Sequence, residues 1–100
     1  MPDDQSQQRR RAVNLRIEGN VQGVGFRNWT LRVAEQLELA GWVRNRRDGS
    51  VEAVFCGEAA AVEEAVQRCR AGPRSAKVTA VAVNDIAPME GGDFEIWPSL

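Results

Sequence analysis

Two hydrophobic periods meet across a short glycine-rich run near the start of this sequence, and that junction limits the folds open to the chain. From Ala12 to Glu18, apolar Val13, Leu15 and Ile17 alternate with polar Asn14, Arg16 and Glu18, the pattern of a strand with one face buried. From Phe26 onward the apolar residues Phe26, Trp29 or Thr30, Val33 and Leu37 recur at steps of three and four. They line one face of a helix expected to end near Ala40 and Gly41. The segment between, Gly19-Asn20-Val21-Gln22-Gly23-Val24-Gly25-Phe26, places three glycines within seven residues. That run is too flexible to continue the strand and suits a tight loop. The chain therefore begins strand, loop, helix.

Trp42–Arg46 and Ser50–Cys56 read as two strands joined by Arg46-Arg47-Asp48-Gly49, where Asp-Gly is a hairpin turn signal. Gly57 is expected to open a second helix, with Val62, Ala65, Val66 and Cys69 on one face and Glu63, Glu64, Gln67 and Arg68 outward. It stops at Gly72-Pro73. Val-rich Lys77–Asn84 reads as a fourth strand, and Phe94, Ile96 and Trp97 as a short last one. The order β-α-β-β-α-β with a short additional C-terminal strand packs two helices on one face of a mainly antiparallel sheet, a ferredoxin-like α+β two-layer sandwich. A right-handed crossover makes the first two strands parallel with the third between them. Their C-terminal ends then share one sheet edge, which brings the Gly19–Arg27 loop close to Arg44 and Asn45. One hundred residues at 43% hydrophobic content make one core and one domain. The polar stretch 1–11, with three consecutive arginines, reads as a solvated, disordered lead-in to a domain spanning 12–100.

The 13 basic and 14 acidic side chains nearly cancel, so nothing in the overall charge favours a general polyanion partner. Twelve of the basic residues are arginine and only Lys77 is lysine. This suits forked oxyanion contacts, although genome composition accounts for it first. Cys56 and Cys69 form no CxxC pair and there is no histidine, so no metal site is expected and both read as reduced, structural thiols. The usual general base is missing as well. The N-terminal stretch has no apolar run that would make a signal peptide or a membrane span, and a cytoplasmic location is expected.

A glycine loop that runs into a helix N-terminus presents free backbone N–H groups and the positive end of the helix dipole, an environment suited to a phosphate-sized anion. The spacing of Gly23 and Gly25 fits neither the dinucleotide nor the nucleoside triphosphate fingerprint. Arg27, a cation in the first helical turn, opposes the dipole unless an anion sits there. The alternative is a solvated arginine.

The run Gly19-Asn20-Val21-Gln22-Gly23-Val24-Gly25-Phe26-Arg27, followed by Gly41-Trp42-Val43-Arg44-Asn45 and Asp48-Gly49-Ser50-Val51-Glu52, resembles the acylphosphatase family. The likeness extends through Gly72-Pro73 and Ala76-Lys77-Val78 and covers about residues 12–97. It implies the ferredoxin-like fold, cleavage of acyl phosphates without metal or organic cofactor, and a cytosolic protein. It also implies that Arg27 is the phosphate-binding catalytic arginine and that Asn45 positions the attacking water. Glu38 departs from the family, standing where relatives carry glycine near the end of the first helix; Asn20 occupies a variable position.

The chemistry fits the residues at hand. The leaving carboxylate has a pKa of roughly 4 to 5 and departs unprotonated, so no strong acid is needed. Backbone N–H groups of Gln22, Gly23, Val24, Gly25 and Phe26 would surround the phosphate oxygens, with Arg27 adding charged hydrogen bonds. Asn45 would orient water without acting as a base. The expected partners are a small acyl phosphate and its inorganic phosphate product, with no nucleic acid or membrane, and the chain is expected to be a monomer. A non-catalytic domain of the same fold and an RNA-binding module are the competing readings. The free-standing length weighs against the first; the lack of paired aromatics in Ser50–Cys56 weighs against the second, despite basic Arg44, Arg46 and Arg47. Trp29, Trp42 and Phe55 are expected at the core or its edge, and Asp48 and Glu52 in turn structure rather than chemistry. Arg44 and Arg46 are read as part of a polar hairpin rather than as groups that steer substrate.

Overall fold

In the computed structural model, which describes residues 9–100, the first strand, β1, runs Arg10–Asn20. Most of the expected lead-in lies outside the described residues, but Arg10 and Arg11 belong to the ladder. The chain continues through helix α1 (Phe26–Gln36), strands β2 (Ala40–Asn45) and β3 (Val51–Glu58), helix α2 (Ala59–Ala71), and strands β4 (Lys77–Ile86) and β5 (Phe94–Ile96). The sheet order is β4-β1-β3-β2-β5. β3 is antiparallel to both β1 and β2, so those two are parallel, as the crossover argument requires. β4 is antiparallel to β1, and β5 joins the far edge parallel to β2. Neither helix is long and apolar enough to cross a membrane.

The period-two alternation of β1 turns Val13, Leu15 and Ile17 toward the helices, where they meet Ala53 and Phe55 of β3 and Val43 of β2. Helix α2 covers this layer with Val62, Ala65, Val66 and Cys69, the face expected from its sequence. Full burial of a Val, Leu, Ile or Phe side chain contributes about 1.5–3 kcal/mol, so this layer is the main source of stability. In α1 the inward position falls to Thr30, whose hydroxyl donates to the Phe26 carbonyl at 2.8 Å and so enters the core satisfied. Trp29 lies half-buried at the rim, edge-on to the Phe26 ring with centroids 5.3 Å apart.

Two boundaries differ from the sequence expectation. Gly57 does not open α2; it pairs with Arg11, because β1 begins two residues before its clear alternation and offers β3 a longer partner. Helix α1 stops at Gln36, well before Gly41. There Glu38 adopts φ 57°, its N–H bonds the Glu35 carbonyl at 3.2 Å, and the Leu39 N–H reaches back to the Ala34 carbonyl at 2.9 Å. This is a Schellman ending with glutamate in the left-handed position usually given to glycine. Left-handed backbone costs a residue with a Cβ roughly 1–2 kcal/mol, more than the added chain entropy of glycine when unfolded. Glu38→Gly is therefore expected to stabilise the domain by roughly 0.5–1 kcal/mol, read as a higher urea midpoint at unchanged slope.

Candidate active site

The loop after β1 is built around two left-handed glycines, Gly23 at φ 75° and Gly25 at φ 79°. A Cβ at either would meet no atom within 4 Å, so glycine is required by backbone rotation and not by space. Gly25 is the N-cap of α1 and supplies no side-chain cap; the first turn holds no acidic residue. The first helical bond is donated by the Trp29 N–H to the Gly25 carbonyl at 3.0 Å. Among the described residues, the N–H groups of Phe26, Arg27 and Asn28 have no protein acceptor. Three bare donors and the positive helix end thus point out of the loop.

Three contacts hold the loop in this shape. Val21 is buried in the core. The Gln22 side-chain amide donates to the Arg46 carbonyl at 2.7 Å and the Ser50 carbonyl at 2.9 Å, tying the loop to the β2–β3 hairpin. The Ser75 hydroxyl donates to the Val24 carbonyl at 2.9 Å.

A cavity of about 200 Å³ opens beside the helix end, lined by Val21, Gly23, Gly25, Phe26, Arg27, Asn28, Asn45 and Ile96. This is smaller than the roughly 300–1,000 Å³ of sites for drug-sized ligands, so it suits a small molecule. Arg27 from the first turn of α1 and Asn45 from the end of β2 come together here, as the shared sheet edge requires. Neither side chain makes a hydrogen bond or ion pair among the described residues. Of the loop residues expected to bind phosphate, Gly23, Gly25 and Phe26 line the cavity. Gln22 and Val24 do not, and the Gln22 side chain is committed to the hairpin. Val21, Asn28 and Ile96 were not singled out by sequence reasoning. Asn28 was recoverable as the next residue of the first turn, whereas Ile96 enters only because β5 pairs with β2.

Of the hairpin charges, Arg44, Arg46, Asp48 and Glu52 have structural partners. Glu52 accepts from Asn14 at 2.9 Å and from Arg44 and Arg46, each at 3.0 Å. Burial pushes its carboxyl up, but these three hydrogen bonds outweigh burial and hold it below the ordinary value. Arg44 also lies over the Trp42 ring, 5.0 Å from its centroid, and Trp42 stacks on Trp97 at 4.2 Å. Asp48 accepts from the Ser50 hydroxyl at 2.6 Å, from Arg16 at 2.7 Å and from the Ser50 N–H, and these bonds hold it well below the carboxylate range. Burial pushes the Cys69 thiol up to about 12, which leaves it unreactive. Among the described residues, no group of three His, Cys, Asp or Glu side chains is placed to hold a metal ion.

Fold and cavity together define a class: ferredoxin-like α+β domains whose first loop opens onto a bare helix N-terminus beside an arginine and an asparagine. Comparison with known proteins narrows the class. The acylphosphatase family model matches residues 13–96. An acylphosphatase of Azoarcus sp. is 48% identical over 99% of both chains. One from Nitrobacter hamburgensis is 62% identical over 71% of this chain and 72% of its own. The structure of an acylphosphatase from Coxiella burnetii superposes with a TM-score of 0.84 at 34% identity, covering 88% of this chain and 93% of the other. The chain belongs to the acylphosphatase family.

The depressed carboxyls of Glu52 and Asp48 fix the sign of an acid response. In the unfolded chain both take up protons near pH 4, while in the native protein they resist until lower pH. Between those values the unfolded state binds more protons, so their stabilising contribution is complete near neutrality and is lost as pH falls below about 4. The urea midpoint, followed by tryptophan fluorescence, is expected to drop on acidification from pH 5 to pH 3, and Glu52→Gln is expected to flatten that drop.

Proposed function

We propose that this chain hydrolyses the carboxyl–phosphate bond of acyl phosphates, giving a carboxylate and inorganic phosphate. One observation carries the reading: Arg27, without a hydrogen-bond or ion-pair partner among the described residues, stands in the first turn of an uncapped helix and lines the same small cavity as Asn45. A cation in that position is unfavourable by itself. Beside three bare N–H groups it becomes favourable once a phosphoryl group occupies the cavity, because the donors satisfy the non-bridging oxygens while the guanidinium offsets their charge.

The remaining task is to aim water in line with the leaving oxygen. Asn45 can accept a hydrogen bond from water through its amide oxygen and donate through its nitrogen, fixing orientation without removing a proton. The proton passes to a phosphate oxygen of the substrate. The carboxylate leaves unprotonated, so the absence of histidine carries no penalty. The reading needs no metal or organic cofactor and treats the chain as a cytoplasmic monomer. Both cysteines are unpaired, as suits a reducing compartment.

Hydrolysis of benzoyl phosphate, followed by its absorbance with a chelator present, tests the reading. Removing one donor of this kind costs about 2.7–4 kcal/mol, so Arg27→Ala is expected to lower kcat at least about a hundredfold. Arg27→Lys is expected to fail as well, since it keeps the charge and loses the fork. Asn45→Ala is expected to lower kcat. A folded native chain that binds inorganic phosphate but leaves benzoyl phosphate intact would overturn the enzyme reading, and full turnover by Asn45→Ala would overturn the role of Asn45.

A further inference from the structure

The cavity has one apolar surface that core packing does not explain. Val21 and Phe26 also line it, but both are buried in the core, 1% and 2% exposed. Ile96 is 37% exposed, one of few large apolar side chains among the described residues left so open. β5 is three residues long, yet it is well anchored: Ile96 pairs with Val43, the Trp97 N–H donates to the Val43 carbonyl at 2.8 Å, and the Leu100 N–H donates to the Asn45 carbonyl at 3.1 Å. Phe94, on the same face of β5 as Ile96, stacks on Phe55 at 5.6 Å. The strand thus fixes a solvent-exposed branched apolar side chain in a cavity whose other exposed elements are the polar side chains of Arg27, Asn28 and Asn45 and glycine backbone.

We infer that Ile96 is the acyl-group wall of the site, and that it makes the enzyme select acyl phosphates with an apolar acyl portion over short or polar ones. The inference rests on the reading of the cavity as an acyl phosphate site. Donors at the helix end account for the phosphoryl oxygens and leave the acyl carbons to meet whatever apolar surface the cavity presents. Strand geometry leaves room for both ends of the substrate. Asn45 lies two residues beyond Val43, and Ile96 lies one strand aside from Val43. Spacings of about 3.3 Å per residue and 4.8 Å between strands put the Asn45 and Ile96 backbones about 8 Å apart. A phosphoryl group fits between a water held at Asn45 and an acyl carbon resting on Ile96, which an in-line displacement requires. Contact with an apolar acyl group covers exposed side-chain surface of Ile96, a gain that an acetyl group is too small to collect in full.

The test is the ratio of kcat/KM for benzoyl phosphate to kcat/KM for acetyl phosphate, measured for the native protein, Ile96→Ala, Ile96→Thr and Ile96→Leu. Threonine keeps the branched strand residue and loses the apolar tip, which guards against loss of β5 itself. The ratio is expected to fall about tenfold in Ile96→Ala and Ile96→Thr and to be largely kept in Ile96→Leu. A ratio unchanged in both Ala and Thr variants, whether the two rates fall together or not at all, would overturn the inference. A native chain inactive on both substrates would instead overturn the proposed function, so the two failures are distinct.

Discussion

Everything at the active edge depends on β3 lying between β1 and β2. Pairing antiparallel to both, it forces the two flanking strands to run the same way and to end on the same side of the sheet. Two strand spacings, about 10 Å, then separate the start of the glycine loop from Asn45. Gln22 spans the gap: its amide reaches over the start of β3 to the Ser50 carbonyl and on to the Arg46 carbonyl. The relative placement of Arg27 and Asn45 is therefore set by a backbone ladder and one bridging side chain, without a hydrogen bond between them.

The two faces of the sheet carry different work. The helix side holds the apolar layer from Val13 to Phe94 and, where that layer ends, the cavity. The other side is polar and aromatic, with Glu52 shared by Asn14, Arg44 and Arg46 and with the Trp42–Trp97 stack under Arg44. Arg44 and Arg46, close in sequence to Asn45, are thereby drawn into the opposite face, and Arg27 is the arginine that lines the cavity.

Elements with a sustained period were legible in the sequence. Strand β1 alternates, and the buried face of α2 follows a helical step through Val62, Ala65, Val66 and Cys69, so their type and orientation followed directly. What escaped was set by partners or by a backbone angle. Gly57 belongs to β3 because β1 supplies Arg11 opposite it, a long-range fact that no local propensity encodes. Helix α1 ends early because Glu38 takes a left-handed conformation, for which glutamate carries no local signal. The site shows the same division. Loop chemistry pointed to Arg27 and topology brought both Arg44 and Asn45 near it, but the choice of Asn45 came from the family resemblance; the structure places Arg27 and Asn45 in one cavity. Ile96 was not legible, because its place depends on a three-residue strand pairing across the sheet edge, and Gln22 was read for its backbone when its side chain is the part that is fixed.

The bare end of α1 bears on how far this domain can be stabilised. Helix capping by Ser, Thr, Asp or Asn contributes about 0.5–2 kcal/mol elsewhere, but here the cap position is Gly25 at φ 79°, outside the extended backbone that capping side chains use. A carboxylate brought in from another position would fill the donors just as well and would become an internal competitor for the site. On the proposed function, repair of the helix and reception of an anion draw on the same three N–H groups, so stability and occupancy trade against each other at one point in the fold. A sequence selected for stability alone would close that end, and in doing so would give up the cavity.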